Sequence, residues 1–144
     1  MIKLVDVYTE ISETRVSTRF LYELLRERDP SVNISHHKMP SFETHTRFVD
    51  SRPYKAWYIV HVEDEPIGSA YLTKENEIGI FISKAHQGHG YGKQAIYLLM
   101  RLHPTKRFLA NISPRNARSI AMFEGMGFDL CQHTFQIFPD EKET

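Results

Sequence analysis

The chain has 144 residues, 18 basic and 18 acidic, with a formal net charge of +0, a size that fits one domain able to bury a core without staples. That balance offers no phosphate-neutralising face for a nucleic acid, and no apolar run approaches the roughly 20 residues that cross a bilayer. The single cysteine, Cys131, excludes an intramolecular disulfide and, with no basic-then-apolar leader in MIKLVDVYTE, points to a reducing, cytoplasmic setting.

In chain order, Ile2 to Val7 alternates like a strand. The segment VSTRFLYELL carries Val16, Phe20 and Leu24 at helical spacing. DPSVNISHHKMP holds prolines and turn formers and reads as a loop, after which Ser41 is placed to cap a helix over Thr44 to Val49. AWYIVHV and IGSAYLT, joined by the turn EDEP, read as an antiparallel hairpin in which Trp57 and Tyr58 are core residues. EIGIFI is the next strand. Beyond a glycine-rich turn, Ala95, Leu98, Leu99 and Leu102 recur at i, i+3, i+4 and i+7, the mark of a helix with one buried face, and Pro104 closes it. RFLANI is a short strand; NARSIAMFEGM is a helix with Asn116 as N-cap and Gly127 at its end. FDLCQHTFQIF carries a last strand pattern. The sum is a mixed α/β domain over residues 1–138, with 139–144 as a solvated tail.

The turn QGHGYG, residues 87–92, carries the strongest chemical signal. A strand that ends in glycines and opens a helix leaves the first amides of that helix unpaired at the positive end of its dipole. Glycine lets an anion reach the backbone and tolerates φ above zero. The spacing is wrong for a dinucleotide fingerprint, because Gly88, Gly90 and Gly92 alternate and no acid stands near Asn111. It is also wrong for a P-loop, since Gly92 and Lys93 are followed by Gln94.

Gln87, Gly90 and Gly92 match Gln/Arg-x-x-Gly-x-Gly/Ala, and in this the chain resembles the GCN5-related N-acetyltransferase (GNAT) superfamily at its acetyl-CoA pyrophosphate motif. Asn116, Ser119, Phe123, Gly127 and Phe128 resemble the later signature of the same superfamily, so the resemblance covers essentially the whole chain. It implies a mixed, mostly antiparallel twisted sheet of about six to seven strands flanked by about four helices. It implies acetyl-CoA as cosubstrate, without a metal. The main chain of Ile80, Phe81 and Ile82 would hold the pantetheine arm. The turn Gly88, His89, Gly90, Tyr91, Gly92 and Lys93 would hold the pyrophosphate, with Asn116 and Phe123 on the cofactor's other side. The main-chain N–H of Ile82 or Phe81 would polarise the thioester carbonyl.

The resemblance implies direct transfer of an acetyl group to a primary amine, and for this a base is needed. Many relatives carry glutamate where this chain has Asn111, and tyrosine where it has Phe123. Glu77, at the start of the central strand, is then the candidate base, with Asn111 orienting substrate. The thiolate leaves unprotonated, or is protonated by another group or by water. The implied partner is a small polar amine, such as an amino sugar, polyamine or antibiotic; a homodimer stays open, and neither nucleic acid nor membrane is implied. A metal site at His36, His37, His45 and His133 lacks ligand spacing. The alternatives are a non-catalytic acyl-CoA sensor and a protein N-terminal acetyltransferase.

Overall fold

β-Branched and aromatic runs form the centre of the sheet: β1 (Ile2–Asp6), β2 (Ala56–Val62), β3 (Glu65–Leu72) and β4 (Glu77–Ile82). The computed structural model describes residues 1–9, 15–28 and 38–140. The strands lie in chain order, β1-β2-β3-β4-β5, with the short β5 (Leu109–Ala110) at the edge. Neighbours are antiparallel except β4 and β5, which are parallel. Glu63 and Asp64 both have positive φ, 51° and 67°, the two-residue turn whose twist matches that of the strands it joins.

Among the described residues, four α-helices cover the sheet. α1 (Val16–Glu27) and α2 (Phe42–Asp50) occupy one face, where Leu21 and Val49 pack on Trp57 and Ile59. The indole N–H of Trp57 donates to Ser69 Oγ at 2.9 Å, so its burial leaves no donor unpaired. α3 (Tyr91–Leu102) and α4 (Ala117–Gly125) occupy the other face, where Ile96, Leu99 and Phe123 pack on Leu72 and Ile78. Ile59, Ile67, Leu72, Ile96 and Leu99 are fully buried, each worth about 1.5–3 kcal/mol over exposure.

The caps show how sequence sets element ends. Ser41 Oγ accepts the N–H of Thr44 at 3.1 Å and starts α2. Asn116 Oδ1 accepts the N–H of Ser119 at 3.3 Å and starts α4. At the far end of α4, Gly127 (φ 99°) donates to Glu124 O, Phe128 donates to Phe123 O, and the Phe123 and Phe128 rings meet edge to face at 5.0 Å. This is a complete Schellman stop with its hydrophobic contact.

Three features differ from the sequence-based expectation. The sheet of the described residues has five strands, not six to seven. RFLANI contributes only Leu109–Ala110, and the FDLCQHTFQIF segment joins no ladder, leaving Phe135 91% exposed. Alternation reports two-faced chemistry but not whether a neighbouring strand exists. Helix α1 buries Ser17, Leu21 and Leu24 and leaves Val16 exposed, because two apolar stripes overlap in its sequence and packing selects one. Leu102, the last residue of α3, is exposed, having run past the sheet.

Candidate active site

The site begins where β4 and β5 part. Glu77 pairs with Leu109 and Ile78 with Ala110, and there the pairing ends. Which main-chain groups face the opening follows from register. Ser83 N donates to Ile67 O and Thr73 N to Glu77 O, so Glu77, Gly79, Phe81 and Ser83 are the residues hydrogen-bonded to β3. Ile80 and Ile82 therefore turn their N–H and C=O groups away from β3, toward the gap. The C=O of Ile82 accepts Gln87 Nε2 at 2.8 Å. The amide of Phe81, named with Ile82 as a polariser from sequence, points to β3, which leaves Ile82 for that position.

From Ile82 the chain passes through a 3-10 turn (Lys84–His86) into the glycines. Gly88 and Gly90 have φ of 87° and 79°, and a Cβ at either would meet nothing within 4 Å. Their absence of a side chain thus answers a backbone requirement and leaves open space in front. Gly90 is the N-cap of α3, with no side-chain cap and no acid in the first turn. The first intrahelical bond runs from Gln94 N to Gly90 O, so the amides of Tyr91, Gly92 and Lys93 have no partner inside the helix. His89 sits against Tyr91, ring centroids 5.5 Å apart. A Cβ on Gly92 would make ordinary contacts at 3.5–3.8 Å with Ile82, Met122 and Ile80.

Two side-chain links that cross long sequence distances hold this turn. Gln87 Oε1 accepts Arg118 Nη1 at 2.7 Å, tying the turn to the first residues of α4. Ser83 Oγ meets His86 Nδ1 at 2.9 Å, and His86 Nε2 meets Glu65 Oε2 at 3.0 Å. Arg118, Ser83, His86 and Glu65 were not singled out from sequence. Arg118 carries a weak signal as a cation next to the Asn116 cap, whereas the Glu65 pairing has none.

At the other end of β4 the two catalytic candidates meet. Asn111 Nδ2 donates to Glu77 Oε2 at 2.6 Å, and Thr73 Oγ1 donates to Glu77 Oε1 at 3.1 Å. Glu77 lies with Gly79 and Phe81 on the face turned to α1 and α2, opposite the isoleucines that pack against α3. A carboxylate so held is an acceptor in a fixed orientation at the point where the strands part.

The remaining candidates lie elsewhere. Phe123 is 4% exposed, in the core with Ile96, Leu99 and Phe128, so its ring packs rather than faces an opening. The Asn116 carbonyl caps α4. His45 is buried beside Tyr22 and His133 stacks near Phe135; His36 and His37 lie outside the described residues. No three His, Cys, Asp or Glu of the described residues converge as metal ligands, and no described helix is long and apolar enough to cross a membrane.

A mixed sheet that opens between its two parallel strands, beside a helix entered through glycines, defines a GNAT-type fold. The chain belongs to the Acetyltransferase (GNAT) family, whose sequence profile matches residues 18–128. It is 31% identical over 74 residues to a peptidyl-lysine N-acetyltransferase, YjaB, of Salmonella typhimurium, a match spanning 51% of this chain and 50% of that protein. The chain thus spans about half the length of that relative. The fold is shared with a domain from Methanocaldococcus jannaschii (TM-score 0.76, 21% identity, 93% of this chain and 92% of that one). It is also shared with an aminoglycoside N-acetyltransferase in complex with CoA (TM-score 0.71, 15% identity, 96% and 94%).

Proposed function

We propose that this protein is an acetyl-CoA-dependent N-acetyltransferase that moves an acetyl group directly to the primary amine of a small polar acceptor. One observation carries the proposal: the main-chain edge of Ile80 and Ile82, unpaired with β5, runs into a turn whose open glycines lead to the free amides of α3. That donor set fits a cosubstrate with amide groups along its arm and an anionic head. The family membership and the likeness to a CoA-bound transferase support the same cosubstrate.

Acetyl-CoA supplies the acyl group as a thioester. Ile80 and Ile82 hold the arm as a neighbouring strand would. The amides of the turn from Gly88 to Lys93 hold the pyrophosphate, with Arg118 and Lys93 adding positive charge. The N–H of Ile82 stabilises the charge that develops on the acyl oxygen. Glu77, oriented by Asn111 and Thr73, takes the proton from the attacking amine through intervening water, since it stands at the opposite end of β4 from Ile82, about 16 Å along the strand. Phe123 has no proton to donate, so the thiolate leaves unassisted or is protonated by solvent. The domain is taken as residues 1–138, acting in the cytoplasm on a soluble amine.

Calorimetric titration with acetyl-CoA, with NAD as control, tests the cosubstrate. Micromolar binding of acetyl-CoA but not NAD, followed by CoA release in an amine screen, is the expected result. Binding without release for any amine would instead support a sensor that keeps the cofactor site, and no binding would remove the proposal.

A further inference from the structure

The face of β4 that carries Glu77 also carries Phe81, about 13 Å further along the strand. Over the Phe81 ring lies a guanidinium: Arg28 Cζ is 5.2 Å from the ring centroid. Its place is built by the end of α1. Arg28 is the C-cap, donating its N–H to Leu25 O at 3.2 Å, and Glu27 accepts the N–H of Lys84 at 2.9 Å. The last turn of α1 is thereby tied to the segment that follows β4. The stacked rings of Tyr54 and Tyr71, 3.9 Å apart, complete the surroundings. Tyr71 lies over Gly79, where a Cβ would come within 1.9 Å of the ring.

This arginine is in an unusual electrostatic position. Its Nε is shielded from water and has no hydrogen-bond partner among the described residues, and no described carboxylate forms an ion pair with it. Burial disfavours its charged form, yet a guanidinium keeps its charge in any protein setting. A partly desolvated charge without a counterpart is unfavourable, and a carboxylate, whose two oxygens match the guanidinium fork, lessens that cost. The pyrophosphate is a poor candidate for this role, because the free amides of α3 that would bind it belong to the helix packed on the opposite face of the sheet.

We propose that Arg28, seated over Phe81 beside Tyr54 and Tyr71, binds a carboxylate of the acceptor, so that the amine this protein acetylates is an amino acid or another amine bearing an acid group. The assignment rests on the transferase function proposed above and narrows its substrate class.

Three matched pairs of amines differ only in the carboxylate: L-lysine and cadaverine, L-ornithine and putrescine, 4-aminobutyrate and propylamine. Each is titrated calorimetrically into the protein, with and without CoA, and assayed for acetyl-CoA-dependent CoA release. In at least one pair the acid member should bind, and where turnover occurs react, about 10- to 100-fold better. Arg28→Gln should abolish the difference while acetyl-CoA binds unchanged, and Arg28→Lys should restore part of it. Equal binding within every pair, or a preference that persists in Arg28→Gln, overturns the assignment. Weakened acetyl-CoA binding in Arg28→Gln also overturns it, by placing the arginine on the cosubstrate. If Arg28→Gln does not fold, the Arg28→Lys variant and the wild-type pairs still decide. Failure of the transferase function looks different: no amine is acetylated, while the carboxylate preference in binding stands or falls separately.

Discussion

The edge of β4 and its face are built from different materials. Along the edge that runs into the glycine turn the proposed site is main chain: the outward groups of Ile80 and Ile82, two glycines at positive φ, and the free amides of α3. On the face proposed for the acceptor it is side chain: Glu77 held by Asn111 and Thr73, and Arg28 set over Phe81. Main-chain sites need only a local conformation, so a short stretch of chain suffices to make one. Side-chain sites need residues from distant elements to arrive together, here from α1, β4 and the end of β5. The first kind suits a constant cosubstrate; the second can change with the acceptor by single substitutions.

The sharpest way to break that contrast is Gly90→Glu. A Cβ there would meet no protein atom within 4 Å, so the fold should survive the backbone strain of about 1–2 kcal/mol. The carboxylate would occupy the anion position, and acetyl-CoA binding measured by calorimetry should be lost. Intact binding would mean that the turn does not face the pyrophosphate. Next in size is Glu77→Gln. The glutamine carbonyl can still accept from Asn111, so geometry is retained while the base is gone. The rate of acetyl transfer should fall by about 10²- to 10⁴-fold with acetyl-CoA affinity unchanged. A rate within a factor of two of wild type would remove Glu77 from the chemistry.

The same division governs what the sequence reveals. AWYIVHV and EIGIFI coincide with β2 and β4, because β-branched and aromatic runs bounded by turns leave few alternatives. Ser41, Asn116 and Gly127 mark helix ends through local bonds between near neighbours, and the alternating glycines mark the turn. Glu77 and Asn111 could be named from the family resemblance but not joined, since nothing in a sequence says that residues 34 apart meet at 2.6 Å. Arg28 gave no sign at all: it is an ordinary basic residue at a helix end until the fold places it over Phe81. The last strand pattern misled for the complementary reason, as its alternation is real while the ladder it implies is absent from the described structure.

A smaller perturbation sharpens the main-chain half. Gln87 bridges Ile82 O and Arg118, with bonds of 2.8 and 2.7 Å. Gln87→Ala removes both while leaving every glycine and every helix amide in place. At about 1 kcal/mol per bond, acetyl-CoA should bind about 5- to 30-fold more weakly, with kcat at saturating cosubstrate near that of wild type. A change in kcat without a change in affinity would show that the bridge serves the acceptor side instead.

The far end of α3 provides the smallest effect and a control for both halves. His103, the C-cap, meets the Tyr58 hydroxyl at 2.6 Å, and burial, followed by the nearby Lys55 charge, holds its pKa below the usual 6.5. Between that lowered value and 6.5 the unfolded chain binds more protons than the folded one, so stability falls as pH drops through this window and is fully present above it. Thermal midpoints should decline by at most about 2–4 °C from this source, and His103→Gln should flatten that part of the profile. Acetyl-CoA affinity at pH 7.5 should not respond to the substitution, because the helix end proposed to bind the cosubstrate is the other one. A response would mean that the two ends of α3 are coupled, and the separation between cofactor site and scaffold would fail there.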